Sequence, residues 1–371
     1  PVTSPPRPGG GNDGCTPTMQ LRVLSADKTL ILVNGHRRHI GANFNALVGP
    51  QGGSEPADIA LIPISAVDHV EVITEGATAL YGQDAMAGAV NIVLKSATHG
   101  GSINFKNSGF YAGDGQDIDG SANLGFALGK QGGYLDLAAQ VMHQLPASRN
   151  GDYINPSRYP NDFYYALPNG SVDPRSNRSR DVQRSNSLSK RTMETLSANM
   201  SVPLTEHIDL YSTSTYAHRK VSVGQTYRSA ADDLTVTSLW PDGMQPYYDM
   251  TENDFEVDNG FKGHTFGFSW DTYVNYGKDL QSYDMRDTDN ASYGDASKTK
   301  FYTGSATASQ LTAGFRASRN FDVGFLPKPV NLEFGAEYRR DTFTLGAGEY
   351  ESYASGGVPI LTGPNAGMTA T

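Results

Sequence analysis

The spacing of hydrophobic and polar residues changes near residue 100 and divides the chain into two parts. In the first part, short apolar runs alternate with turn-forming residues, which is typical of a small α/β unit. These runs predict strands at 29–33, 70–73 and 90–94, a helical turn at 64–66 and a short helix at 77–81. Residues 1–14 are rich in proline and glycine and predict a loose lead-in.

In the second part, apolar and polar residues alternate with a period of two. This alternation indicates strands with one apolar face and one polar face. It is clearest at 102–106, 122–128, 135–141, 195–202, 270–276 and 330–339. We expect about nine such strands after residue 100.

The connections between these strands alternate in length. Short turns are predicted at 129–133, 203–206, 260–263 and 325–329, whereas long polar stretches occupy 144–190 and 221–249. Short turns at one end and long loops at the other are typical of an outer-membrane β-barrel. A soluble β-sandwich also alternates, so the difference in loop length carries more weight. Because an open barrel leaves an unpaired edge in lipid, we expect further strands from a longer protein or another chain.

Composition narrows the classes of function. Hydrophobic residues make up 38% of the chain and charged residues 18%, which is unlike a charge-rich disordered protein. The net charge of -10, with no broad basic patch, argues against nucleic acid as a partner. No run of about 18 apolar residues is present, so a role in the membrane requires strands. The one cysteine, Cys15, allows no internal disulfide.

Three sequence blocks in the first part carry the most specific signal. They read LILVNGHRRH at 30–39, IPISAVDHVEV at 62–72 and GATALYGQDAMAGAVNIVLK at 76–95. In their order and spacing they resemble the plug domain of the TonB-dependent receptor family. A further block, FGAEYRR at 334–340, resembles a barrel strand of the same family. The resemblance therefore touches both ends of the chain.

The resemblance implies a mainly β fold, in which a small α/β plug domain lies in the lumen of a large antiparallel transmembrane β-barrel. Such a barrel has about 22 strands when complete, and this chain would supply about nine of them. The plug domain would span 1–98, without its N-terminal part. The N-terminal portion of the barrel would span 99–371.

The implied function is import of a scarce nutrient (a siderophore, haem, cobalamin or an oligosaccharide) by energised movement of the plug. The implied partners are TonB with the inner-membrane energising complex, the nutrient itself, outer-membrane lipid and lipopolysaccharide, and a surface lipoprotein. The implied location is the outer membrane of a Gram-negative bacterium. We identify no TonB box, so the contact with TonB is assigned to no residue. The alternative function is a surface or structural barrel with an inactive plug.

The resemblance also places candidate sites. A loop at the extracellular apex of the plug would bind the ligand through Arg37, Arg38, His39, Asn43, Phe44 and Asn45. Two arginines suit an anionic ligand because guanidinium groups make charge-assisted hydrogen bonds. Contacts between plug and barrel are expected from Arg22, Glu75, Glu337 and Arg339. Val23 and Thr74 depart from the family pattern; Thr74 stands where an arginine that pairs with barrel carboxylates is common, so this contact is expected to be altered.

Other charged residues support weaker hypotheses. His36 and His39 have a spacing that suits a metal but lack a cysteine or acidic residue nearby in sequence, so no metal site is expected. Glu252, Asp254 and Glu256 are interpreted as solvated faces of a loop or strand, with Ca²⁺ binding as the alternative. Arg175, Arg178 and Arg180 are interpreted as a solvated loop, with contact to lipopolysaccharide phosphates as the alternative.

Two further classes of protein are disfavoured. A passive porin lacks the three plug blocks. A glycoside hydrolase needs two carboxylates across a cleft, and no spacing singles out such a pair. We therefore expect no catalytic residue, no enzymatic activity and no cofactor.

Overall fold

The structure is a computed structural model that describes residues 2–4, 16–22, 24–43, 53–74, 78, 81–185, 188–325 and 327–370. Within these residues, the strands form three sheets with two, four and nine members. The first six strands are β1 Val2–Ser4, β2 Thr18–Gln20, β3 Thr29–Val33, β4 His36–Arg37, β5 Val67–Ile73 and β6 Gly88–Leu94. The others are β7 Gly101–Ser108, β8 Asp117–Leu128, β9 Gly133–Gln144, β10 Lys190–Pro203, β11 Ile208–Gly224, β12 Tyr247–Thr265, β13 Phe268–Arg286, β14 Lys300–Phe321 and β15 Val330–Ala347.

The four-stranded sheet has the order β4-β3-β6-β5 and forms what we call the N-terminal unit, the described residues between 16 and 94. Strand β3 runs parallel to β6, and every residue of β3 is buried. The continuous apolar run TLILV suits this position because both of its faces are covered. The predicted strands at 29–33, 70–73 and 90–94 are thereby confirmed. Most of the predicted helix at 77–81 lies outside the described residues, as do residue 1 and residues 5–14 of the lead-in.

Short 3₁₀ turns lie in the segments outside the strands. They span Ala26–Lys28, Ile64–Ala66, Gln83–Ala85, Pro174–Ser176, Ala291–Ala296 and Tyr350–Ser352. The turn at 64–66 confirms the helical turn predicted there. Among the described residues, no helix is both long and apolar enough to cross a membrane.

The nine-stranded sheet runs from β7 to β15 in sequence order, and every neighbouring pair is antiparallel. Its exposed face is apolar, whereas its covered face is polar. In β12, for example, Phe255 and Val257 are exposed, but Asp254 and Glu256 are buried. A soluble sheet has the opposite arrangement, with apolar residues covered. The strands form one sheet, so the alternative of a two-layered sandwich is wrong.

The predicted difference in loop length is confirmed. Strands meet at one end through the short connections 129–132, 204–207, 266–267 and 322–329. At the other end they are joined by 109–116, 145–189, 225–246 and 287–299. Outer-membrane barrels place long loops outside the cell and short turns in the periplasm.

The turn predicted at 260–263 is wrong, because β12 continues through these residues to Thr265. The chain turns instead at Phe266 and Gly267, which have φ angles of 53° and 78°. Gly260 serves another purpose: a Cβ there would overlap the ring of Tyr211. The glycine that indicated a turn therefore allows an aromatic side chain to pack on the strand.

The N-terminal unit lies against the covered, polar face of the nine-stranded sheet. The backbone nitrogen of Ile64 donates to Oε1 of Gln140 at 2.9 Å. Nδ2 of Asn34 donates to Oδ1 of Asn199 at 3.1 Å. The predicted boundary between 98 and 99 falls in the segment between β6 and β7 and stays a prediction.

Candidate functional site

A tight turn after β3 brings four charged or titratable side chains to the edge of the N-terminal unit. Asn34 and Gly35 have φ angles of 51° and 85°, as a two-residue hairpin turn requires. The chain then returns as β4 and presents the basic segment, which we define as His36, Arg37, Arg38 and His39. These four residues are buried against the nine-stranded sheet, so their position follows from the hairpin and from the burial of β3.

An acidic row on β12 faces the basic segment. It consists of Glu252, Asp254, Glu256 and Asp258, which occupy alternate positions and are between 0% and 5% exposed. Because successive side chains of a strand point to opposite faces, this spacing places all four carboxylates on the covered face. The interpretation of this segment as a solvated face is therefore wrong. The sequence shows that these residues share a face, but not that a separate unit covers it.

Arg38 makes the most deeply buried contact between the two parts. Its Nη2 atom lies 2.5 Å from Oδ1 of Asp254, and Nη1 lies 3.0 Å from Oε2 of Glu256. Nη1 also donates to Oγ1 of Thr215 at 2.8 Å. Burial disfavours the charged guanidinium, but the two carboxylates outweigh it and raise the pKa of Arg38. The side chain is thus held as a cation by strand β12.

His39 joins the same pair of carboxylates. Its Nε2 atom lies 3.0 Å from Oδ2 of Asp254, and its backbone nitrogen donates to Oε2 of Glu256 at 3.1 Å. The other ring nitrogen, Nδ1, lies 2.8 Å from the carbonyl oxygen of Ile40. Both the ring and the backbone of His39 therefore fix the position of the N-terminal unit along strand β12.

His36 lies between two carboxylates. Nδ1 is 2.5 Å from Oδ2 of Asp258, and Nε2 is 2.8 Å from Oδ2 of Asp271. The imidazole also stacks on the ring of Tyr273, with centroids 4.1 Å apart. Burial opposes protonation, but the hydrogen bonds and charges of the two carboxylates raise the pKa of His36 to about 8. With an acceptor at each ring nitrogen, this histidine is an imidazolium at neutral pH.

Arg37 points the other way and links the N-terminal unit to β15. Its Nη1 atom lies 2.8 Å from Oδ2 of Asp84, and Nε lies 3.4 Å from Oε1 of Glu337. Asp84 is also paired with Arg339. Glu337 and Arg339, which the sequence nominated as plug–barrel contacts, thus both touch the N-terminal unit.

The other two residues nominated for that contact lie elsewhere. Arg22 is exposed, and its Nη2 atom donates to the carbonyl oxygen of Thr74 at 2.6 Å, within the N-terminal unit. Glu75 lies outside the described residues, as does Val23.

The ligand-binding assignment of the apical residues stays a prediction. Arg37, Arg38 and His39 face carboxylates, as described above. Asn43 is buried, and its Nδ2 atom donates to Oγ1 of Thr16. Phe44 and Asn45 lie outside the described residues.

A second buried contact was not anticipated from the sequence. Nη2 of Arg219, on β11, lies 2.6 Å from Oδ2 of Asp58 in the N-terminal unit and 2.5 Å from Oε2 of Glu252. Nearby, the backbone nitrogen of Ala42 donates to Oδ2 of Asp279 at 2.7 Å. In the sequence, Arg219 lies on the same face of its strand as Thr213 and Thr215. A cation on a covered polar face requires an acidic partner, so this pattern could have indicated the contact.

The long loops are held by their own contacts. Arg180 pairs with Asp162 through Nη1 at 2.7 Å and packs on the ring of Phe163. Arg175 pairs with Asp173, also at 2.7 Å. Arg178 instead joins two loops, because its Nη1 atom donates to the carbonyl oxygen of Asp242 at 3.0 Å. Within the described residues, no group of three or more histidine, cysteine or acidic side chains could hold a metal ion.

Comparison with known proteins agrees with this geometry. Residues 2–89 match the family model of the TonB-dependent Receptor Plug Domain. A stretch of 101 residues is 32% identical to the probable TonB-dependent siderophore receptor PirA of Acinetobacter baumannii, covering 26% of this chain and 13% of that protein.

Solved structures show the same fold over most of the chain. The ferric enterobactin receptor PfeA of Pseudomonas aeruginosa aligns over 92% of this chain and 45% of its own, with a TM-score of 0.60 and 17% identity. The siderophore receptor PirA of Acinetobacter baumannii aligns over 92% and 44%, with a TM-score of 0.59 and 15% identity. The chain therefore spans less than half the length of these receptors.

A polar sheet face covered by a small separate unit defines a plugged β-barrel wall. The match over 2–89 identifies this part of the chain: the N-terminal unit is similar to the plug domain of TonB-dependent receptors, and the solved receptors share the fold of most of the chain.

Proposed function

We propose that this chain is part of an outer-membrane receptor that imports a siderophore by energised movement of the plug. The receptors that it resembles are described as siderophore receptors, which supports this substrate class over haem, cobalamin or an oligosaccharide. TonB with the inner-membrane energising complex is the proposed partner, and the Gram-negative outer membrane is the proposed location.

The observation that carries the proposal is the chemistry of the contact between the plug and β12. Arg38 is held by carboxylates, and His36 is held by two carboxylates together with stacking on Tyr273. A buried ion pair fixes geometry strongly but gives little net stability over a hydrophobic contact of the same volume. Water can replace each charged partner once the contact opens, whereas the apolar contacts that Leu61 and Ala42 make with the sheet must also separate.

This chemistry also separates two roles among the apical residues. We assign Arg37, Arg38 and His39 to holding the plug, because their side chains already face acidic partners. We retain Asn43, Phe44 and Asn45 as candidate ligand contacts, since they follow directly in the same segment. An anionic chelate would reach the two guanidinium groups only after the plug had shifted.

Uptake by cells tests the proposal. The full-length receptor is expressed in Gram-negative cells lacking their own siderophore receptors, and uptake of radioactive iron is followed with a panel of siderophores. We expect uptake with at least one of them, and its loss when TonB is deleted. Binding without TonB-dependent uptake would favour the alternative of a surface barrel with an inactive plug.

A further inference from the structure

Side chains of the nine-stranded sheet surround the ring of His36, whose side chain is 5% exposed. We define the imidazolium site as the four sheet residues that contact this ring, which are Tyr211, Asp258, Asp271 and Tyr273. The imidazole is nearly parallel to both tyrosine rings, at 26° to Tyr211 and 17° to Tyr273. Stacked rings with a carboxylate at each ring nitrogen recognise a cation that is flat and that donates in two directions.

The sheet alone holds the two tyrosines of this site in place. Tyr211 pairs in register with Gly260, where a Cβ would overlap the tyrosine ring. Tyr273 pairs with Gly314, and a Cβ there would likewise overlap the ring. The hydroxyl of Tyr273 also donates to Oε2 of Glu337 at 2.9 Å. Each ring thus lies on a glycine of the neighbouring strand, so neither needs the plug to keep its position.

The two carboxylates of the site differ in what holds them. Oδ1 of Asp271 accepts from the hydroxyl of Tyr211 at 2.6 Å, and Oδ2 lies 3.2 Å from Nη2 of Arg316. Asp258 pairs with His36 through Oδ2, and its buried Oδ1 has no hydrogen-bond partner among the described residues. Without His36, the carboxylate of Asp258 is therefore left buried without its cation, which is costly unless another cation takes that place.

A cavity reaches the imidazolium site from the end of the sheet that carries the short turns. Its volume is about 530 Å³, and its lining includes Lys262, Asp271 and Arg316. The side chain of Asp271 is 23% exposed. A small ion can therefore approach Asp271 from this end, without crossing the apolar contacts between the plug and the sheet.

We propose that the nine-stranded sheet carries a binding site for a small planar organic cation, and that the plug occupies this site with His36. Imidazolium and guanidinium are the ligand class, because both are flat and carry N–H donors on opposite edges. Guanidinium has more donors than imidazolium and can also use the free oxygen of Asp258. The site itself depends on the contacts of the sheet. That a bound cation competes with the return of the plug rests on the proposed function.

Titration of the purified full-length receptor with guanidinium and imidazole tests this inference. His36→Gly removes the ring but leaves the imidazolium site, and calorimetry measures binding at neutral pH. We expect both planar cations to bind about tenfold more tightly than methylammonium, which carries the charge but has no flat face to stack. The unaltered receptor should bind neither cation, because His36 fills the site.

Two double variants separate the site from its surroundings. His36→Gly/Asp258→Asn removes a carboxylate whose partner is His36, so guanidinium binding should weaken roughly 10- to 100-fold relative to His36→Gly. His36→Gly/Asp209→Asn is the matched control, because it removes a carboxylate that lines the cavity and does not belong to the site. The affinity for guanidinium should change there by less than about threefold.

Three results would overturn the inference. These are absence of binding of either planar cation by both His36→Gly and His36→Ala, equally tight binding of methylammonium, and equal effects of Asp258→Asn and Asp209→Asn. His36→Ala is the second variant because an added glycine beside Gly35 makes the turn more flexible. The titrations require neither a siderophore nor TonB, so their failure is distinct from failure of the proposed function.

Discussion

Nη2 of Arg38 and Oδ1 of Asp254 lie 2.5 Å apart in a contact where neither side chain is more than 1% exposed. The arginine belongs to the plug and the aspartate to the middle of β12, so one ion pair joins two parts of the fold that are distant in sequence. Two neighbouring ion pairs, His36 with Asp258 and Arg219 with Asp58, also join the N-terminal unit to the nine-stranded sheet. The plug is therefore positioned by a set of buried charges.

Removal of Arg38 should destabilise the receptor strongly. In Arg38→Gln, the carboxylates of Asp254 and Glu256 lose their cation while they stay buried, which costs about 3–5 kcal/mol. Denaturant unfolding of the purified full-length receptor measures this loss. Arg175→Gln is the matched control, because its side chain is 60% exposed beside Asp173, and a change below about 1 kcal/mol is expected there.

A second substitution should recover much of that loss. In the double variant Arg38→Gln/Asp254→Asn, one buried charge of each sign is gone, and two amides can hydrogen-bond in their place. We expect it to be more stable than Arg38→Gln alone, by the same unfolding measurement. Additive effects of the two substitutions would show that the pair is not coupled.

The contribution of His36 should depend on pH. The pKa of His36 is raised from 6.5 to about 8, so the folded state binds this proton more tightly than the unfolded chain does. The stability that it contributes is complete below pH 6.5 and is lost as the pH rises through about 8. Unfolding at several pH values, for the unaltered receptor and for His36→Gln, measures it. An identical pH dependence in both proteins would contradict the assignment.

Gly260 should tolerate no side chain. A Cβ at this position would overlap the Tyr211 ring, whose hydroxyl donates to Oδ1 of Asp271 at 2.6 Å. We expect Gly260→Ala to cost about 1–3 kcal/mol in the free energy of unfolding. Gly120→Ala, also within a strand, is the control, because nothing lies within 4 Å of a Cβ there. Equal stability of the two variants would show that Tyr211 moves away freely.

The sequence predicted the architecture because the fold depends on periodic features. The alternation in 270–276 and 330–339 is a local property of each strand, and the strand β3 is a continuous apolar run. The loop lengths additionally predicted which end of the strands carries the long loops and which end carries the short turns. These features require no knowledge of which residues touch across the fold.

The site was harder to predict, because its contacts join distant residues. Arg38 and Asp254 are separated by more than two hundred positions, and nothing local indicates their pairing. The sequence alone therefore interprets the acidic row of β12 as solvated, which is wrong, and does not predict that Arg38 pairs with it. The turn predicted at 260–263 was wrong for the same reason, because Gly260 is explained by its contact with Tyr211, which lies on another strand.

The central claim is that the plug must separate from the acidic row of β12 during import. Covalent attachment of the plug to the nine-stranded sheet tests this claim. Nδ2 of Asn34 and Oγ1 of Thr213 are 3.1 Å apart, so cysteines in Asn34→Cys/Thr213→Cys, with Cys15→Ser, lie close enough to be joined by a short thiol-specific crosslinker that reductants cleave. The crosslinked full-length receptor should bind its siderophore but import none, and a reductant should restore uptake. Uptake at an unchanged rate with the crosslink fully formed would contradict the claim.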